Sequence, residues 1–110
     1  MPKGYEVSRA AVKDDAQLKK SLSRLKQARI VALDERGKDM DTVQFSSLLK
    51  EETVFIIGGP DGLSPDIKQN AKLLLRLSSL TLPHALAQVV LLEQIYRAAT
   101  LLIGHPYHRS

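Results

Sequence analysis

The sequence predicts an α/β fold: a parallel sheet covered by helices on both faces. Three observations carry this. Segments with helical spacing alternate with short apolar or β-branched runs along the whole chain, the order that builds a parallel sheet with crossover helices. The run "TVFII" has consecutive apolar residues, as a central strand buried on both faces requires. The stretch "IIGGPDGLSP", Ile56 to Pro65, then reads strand, open loop and helix, the junction found where open parallel sheets bind ligands.

Taken in order, a short strand is expected around Tyr5 to Ser8. The segment "DDAQLKKSLSRLKQA" follows, placing Leu18, Leu22 and Leu25 at helical spacing with Lys19, Lys20, Arg24 and Lys26 on the other side. That basic side reads as a solvated helix face or as an RNA footprint. "RIVALD" is a β-branched strand ending at Asp34, and "ERGKDMD" supplies the turn before a second amphipathic helix holding Phe45, Leu48 and Leu49. "TVFII" feeds the glycine loop. Ser64 then caps and Pro65 opens the next helix, "SPDIKQNAKLLLRL", whose end blurs into "SSLTLPH". Pro83 forces a break before "HALAQVVLLEQIYRAATLLIG". From Ala85 to Ile103 the only formal charges of this last helix are Glu93 and Arg97, four residues apart in the order that favours pairing. A membrane span is disfavoured by those two central charges. Apolar residues all round the helix predict burial on both sides, one side on the sheet and the other on a second subunit.

At 110 residues the chain reads as a single domain over 1–110, small for a complete enzyme. The 16 Lys and Arg against 12 Asp and Glu give a net charge of +4, which suits nucleic acid without requiring it. The absence of cysteine excludes disulfides, thiolate metal sites and cysteine nucleophiles. No metal site is expected. The amino terminus "MPKGYEVSRA" lacks the apolar centre of a signal peptide, so a cytoplasmic location is expected.

In a parallel sheet three stretches converge: the turn after "RIVALD", the loop "GGPDG", and "LSSLTLPH". The glycine loop lacks the GxGxxG spacing and the Lys-Ser/Thr of a P-loop, so a phosphate cradle is not indicated. What remains is a pocket with leucine walls and exposed backbone groups, suited to a heteroaromatic ligand such as adenine; the same leucines also read as core. The tail "GHPYHRS" crowds His105, Tyr107, His108 and Arg109 together, side chains that move protons or bind anions, although an ordinary polar end or a purification scar has the same composition. His84, directly after Pro83, reads as a cap, a core contact or a catalytic group.

The stretches "FIIGGPDGLSPD", "LSSLTLPHALAQVVLLEQIYRA" and "HPYHR", in this order, resemble the RlmH family of ribosomal RNA large-subunit pseudouridine N3-methyltransferases, of the SPOUT superfamily. The resemblance runs from about Ile30 to the end. It implies S-adenosyl-L-methionine as cofactor, a homodimer through the last helix, a carboxyl-terminal trefoil knot, and large-subunit rRNA in the assembled ribosome as substrate. It also implies cofactor contacts at Leu33, Gly58, Gly59, Leu77, Ser78, Ser79, Leu80, Thr81 and Leu82. By the same resemblance two departures are expected: the first strand, glycine-containing turn and helix of relatives are expected to have no counterpart here, and Gln88 stands where relatives usually carry arginine.

The reaction so implied is attack of a ring nitrogen on a sulfonium methyl, with the rate supplied by alignment. The ring proton must be removed, and His105, Tyr107, His108 and Arg109 are the candidates for proton removal or for stabilising the charge that develops. Two other readings remain open at this level: a non-catalytic RNA-binding or ribosome-associated module, and an adenine-nucleotide-binding regulatory protein.

Overall fold

In the computed structural model, residues 5–12, 14–25, 27–59 and 62–104 are described. Three parallel strands form the sheet: β1 Arg29–Asp39, β2 Thr53–Ile56 and β3 Leu73–Arg76, in the spatial order β2-β1-β3. The helices are α1 Asp15–Ser23, α2 Thr42–Ser46 continued by a 3-10 turn Ser47–Lys50, α3 Pro65–Asn70, and α4 His84–Leu102. The predicted class is therefore observed.

Both faces of β1 are sealed, because the neighbours Val31 and Ala32, which point to opposite sides, are each 0% exposed. Val31, Phe45, Leu48, Leu75, Leu91, Ile95 and Ala98 form the core on the side of α2 and α4. Phe45 of α2 stacks on Phe55 of β2 with ring centroids 5.5 Å apart. On the other side Ile67 of α3 is buried, and Lys19 of α1 reaches Asp66 of α3 at 2.8 Å. The two short helices are held by their caps. Asp41 and Gln44 form a reciprocal capping box on α2, and Ser64 accepts from the Ile67 N–H directly before Pro65.

Four elements differ from the sequence-based expectation. Residues 5–8 form no strand, since no sheet partner meets them. β1 does not stop at Asp34 but runs to Asp39 through an irregularity between Leu33 and Lys38, so that both Leu33 and Lys38 are registered with Leu75. Such an extra stretch bends a strand and re-aims its side chains. The central strand is β1, and the "TVFII" strand, β2, lies at the edge of the described sheet. The fourth difference is the largest: "KLLLRL" is strand β3 and not a continuation of α3.

Leucine favours a helix, but here long-range pairing overrides that preference. The chain leaves α3 at Ala71 in an extended conformation, the Lys72 N–H donates to the Ile30 carbonyl at 2.8 Å, and Leu73 to Leu75 then pair with Val31 to Leu33. Gly37 makes this close packing possible. A Cβ there would lie 2.7 Å from the carbonyl carbon and oxygen of Leu74.

α4 matches its prediction in start, length and the Glu93–Arg97 pair, whose nitrogen and oxygen are 3.1 Å apart. It is long and apolar enough to cross a membrane by length and composition. In this fold Leu91, Ile95, Ala98, Ala99 and Thr100 are instead buried. Leu86, Val89 and Leu92 recur at every third position on the opposite face and are exposed, Val89 to 61%.

Candidate functional site at the carboxyl edge of the sheet

The segments that leave β1, β2 and β3 meet at one edge. After β1, the bulge begins at Asp34, whose side chain is almost fully buried and accepts from the Arg36 N–H at 2.8 Å and pairs with Lys68 of α3 at 2.8 Å. These two contacts, Lys68 first, hold the Asp34 carboxyl below the usual carboxylate range against the cost of its burial. With Asp34 tied inward, the next residue, Glu35, lies exposed and accepts a hydrogen bond from the Thr81 hydroxyl at 3.3 Å. This joins the β1 exit to the segment after β3.

The β2 exit is joined to the same segment by His84. Its Nδ1 lies 2.7 Å from the Gly58 carbonyl oxygen, and its Nε2 lies 2.8 Å from Nε2 of Gln88, one turn along α4. Between Leu77 and Pro83 the chain has no regular structure; the Ser78 hydroxyl oxygen accepts from the Leu80 N–H at 3.0 Å and tightens the turn.

The glycines of the β2 loop have separate duties. Gly62 donates its N–H to the Gly59 carbonyl at 2.9 Å and adopts a left-handed φ of 75°. Gly58 faces that turn: a Cβ on it would meet the Gly62 carbonyl carbon at 2.8 Å and the Leu63 nitrogen at 3.0 Å. Its bareness is demanded by the loop itself. Gly59 is different, because a Cβ there would meet nothing within 4 Å. Space beside exposed backbone is what a ligand lying against the loop would use.

All nine residues expected to touch a cofactor lie on these three segments. Leu33 and Leu77 are half-buried and pack on the core from this edge, while Leu80 is 74% exposed with Ser79 and Thr81 beside it in sequence. Leu82 and Ser78 are half-buried. The expected catalytic residues His105, Tyr107, His108 and Arg109 lie outside the described residues. Among the described residues, depressions open elsewhere as well. One of about 600 Å³ is lined by Ser23, Arg24, Leu25, Gln27 and Glu52 and sits at the amino-terminal edge, away from the converging loops. Among the described residues, no three His, Asp or Glu side chains are grouped to hold a metal ion.

Sequence reasoning had no signal for Glu35, one charge in a charged turn. It singled out His84 without a partner, because the Gly58 carbonyl is 26 positions away.

The family model described as "Predicted SPOUT methyltransferase" matches residues 3–108. The chain belongs to the SPOUT methyltransferase family. Among its SPOUT relatives is the ribosomal RNA large subunit methyltransferase H of Paraburkholderia xenovorans (strain LB400), 57% identical over 90 residues, 76% of this chain and 58% of that protein. The protein of the same name from Polynucleobacter asymbioticus is 54% identical over 91 residues, 77% of this chain and 62% of the relative. That from Cupriavidus pinatubonensis is 52% identical over 110 residues, 94% of this chain and 67% of the relative. The chain thus spans about three fifths of the length of the first two of these SPOUT relatives.

Proposed function

We propose that this chain carries the S-adenosyl-L-methionine-dependent methyl-transfer site of a ribosomal RNA large-subunit methyltransferase, acting on N3 of a pseudouridine within the ribosome, in the cytoplasm. The observation that carries the reading is the joining of three strand exits at one edge, through Thr81 to Glu35 and His84 to Gly58, in a chain 57% identical over 90 residues to a protein named ribosomal RNA large subunit methyltransferase H.

The residues at this edge fit the cofactor. Gly59 leaves room against bare backbone, and Leu77, Leu80 and Leu82 supply apolar surface for an adenine ring. When bound, S-adenosyl-L-methionine supplies an already activated methyl group. The protein must then hold the target nitrogen in line with it and exclude water, and such positioning accounts for most of the rate. Backbone groups of Gly58, Gly59 and the 77–82 segment, with the Leu33 side chain, would hold the ligand. The tail residues His105, Tyr107, His108 and Arg109 are assigned to the target base: one removes the N3 proton, and Arg109 holds phosphate or the negative charge left on the ring. The reading includes the carboxyl-terminal trefoil knot expected from the family resemblance.

A homodimer belongs to the same reading. The exposed stripe Leu86, Val89 and Leu92 on α4 is apolar surface that no other described residue covers, and a two-fold contact between copies would bury it. In such a dimer the tail of one subunit can complete the pocket of the other.

The test is methyl transfer to ribosomes from a strain lacking the modification, preceded by calorimetry with S-adenosyl-L-methionine and with ATP. Transfer to N3 of a single pseudouridine is expected. Cofactor binding with no transfer would favour the RNA-binding module, and binding of ATP alone would reject both.

A further inference from the structure

We propose that Gln88 is a positioning residue: together with the Gly58 carbonyl it selects the tautomer of His84, and through that ring it holds Gly58 against the turn that joins Gly59 to Gly62. The geometry leaves few choices. A carbonyl oxygen only accepts, so the 2.7 Å contact between His84 Nδ1 and the Gly58 oxygen requires the proton on Nδ1. In a neutral imidazole Nε2 is then an acceptor, and the amide nitrogen of Gln88, 2.8 Å away, donates to it. Gln88 lies four positions after His84 on the same helix face, so the two side chains meet without straining α4.

The consequence reaches the glycine loop. The Gly58 carbonyl is fastened to α4, Gly58 packs on the backbone of Gly62, and the Gly62 N–H closes on the Gly59 carbonyl. A histidine in the other tautomer would turn a lone pair toward the Gly58 oxygen and release this chain of contacts. His84 is exposed to water, and among the described residues its two ring hydrogen bonds are what select the tautomer. An arginine at position 88 could also donate to Nε2, having five donors and no acceptor. A leucine there could not.

The effect on cofactor binding rests on the function proposed above; the tautomer and the loop closure do not, and they are measured without ligand. Nitrogen-15 spectra of the His84 ring, taken at a pH where the ring is neutral, should show Nδ1 protonated in the unaltered protein and in Gln88→Arg. Gln88→Leu should populate the other tautomer, and exchange of the Gly62 amide hydrogen should quicken by about three- to tenfold, the loss of one net hydrogen bond. Rescue by Gln88→Arg separates this role from a general loss of packing. The proposal is overturned if Gln88→Leu keeps Nδ1 protonated, or if the tautomer changes and Gly62 exchange does not. Affinity for S-adenosyl-L-methionine, expected to fall by a similar factor in Gln88→Leu, is read separately. Absence of binding in the unaltered protein would reject the proposed function, while the ring and exchange data still decide the latch.

Discussion

A Cβ on Gly58 would lie 2.8 Å from the carbonyl carbon of Gly62, whereas one on Gly59 would lie in open space. The adjacent glycines therefore separate two roles, loop geometry and room for a ligand. Gly58→Ala should force the loop to shift and lower stability by about 1 to 3 kcal/mol, as overpacking does. Gly59→Val should leave the denaturation midpoint nearly unchanged and weaken S-adenosyl-L-methionine binding by at least about tenfold. Unaltered calorimetric affinity in a folded Gly59→Val protein would place the ligand away from this loop.

Gly37 tests how β1 and β3 fit together. A methyl group at this position meets the backbone of Leu74 and Leu75 at 2.7 Å, and a backbone cannot rotate away as a side chain can. Gly37→Ala should cost more than about 2 kcal/mol, among the larger single-site effects. Urea unfolding monitored by circular dichroism measures it. A change within a few tenths of a kcal/mol would show that the strand extension beyond Leu33 contributes little.

Asp34 and Lys68 should make stability depend on acid. The Asp34 carboxyl is held below its ordinary range, by Lys68 first and by the Arg36 N–H second. Because the folded value is depressed, the contribution is fully present above the carboxylate range of the unfolded chain, around pH 4, and is lost as the pH falls through the lower folded value. Asp34→Asn should lower stability at neutral pH by about 1 kcal/mol, since Lys68 stays partly hydrated, and the difference from the parent should shrink on acidification. Thermal melts from neutral pH to below pH 4 check both signs, and a difference independent of pH would contradict them.

The exposed face of α4 should carry the dimer. Val89→Glu places a charge in the middle of the stripe formed with Leu86 and Leu92 while sparing Leu91 and Ile95 on the core side. Light scattering at micromolar concentration should give the dimer mass for the parent and the monomer mass for a still-folded variant. A parent of monomer mass would reject the interface.

The tail should be needed for transfer and not for cofactor binding. Deleting residues 105 to 110 removes His105, Tyr107, His108 and Arg109 but none of the segments that meet at the sheet edge. Methyl transfer to ribosomes should fall by about a hundredfold or more through lost positioning and proton removal, with S-adenosyl-L-methionine affinity largely kept. Normal transfer by the truncated protein would remove the tail from the active site.

What the sequence by itself determined is local in origin. The Ser64 cap with Pro65 behind it starts α3, Pro83 starts α4, and the Glu93–Arg97 spacing makes its pair, because each depends on residues within one helical turn. The glycine-rich exit from β2 was legible for the same reason, and the parallel class from the alternation of such local patterns along the chain. The tertiary structure decided whatever needed a distant partner. "LLLR" became a strand because Val31 to Leu33 offered it backbone hydrogen bonds, and β1 ran on to Asp39 because Gly37 let the backbone of β3 come close. Gly58 is bare on account of Gly62, and His84 has a role on account of Gly58. The alternation of elements already predicts that the strand exits converge, but which groups pair across them, Thr81 with Glu35 and His84 with Gly58, is decided only when the sheet brings residues tens of positions apart together.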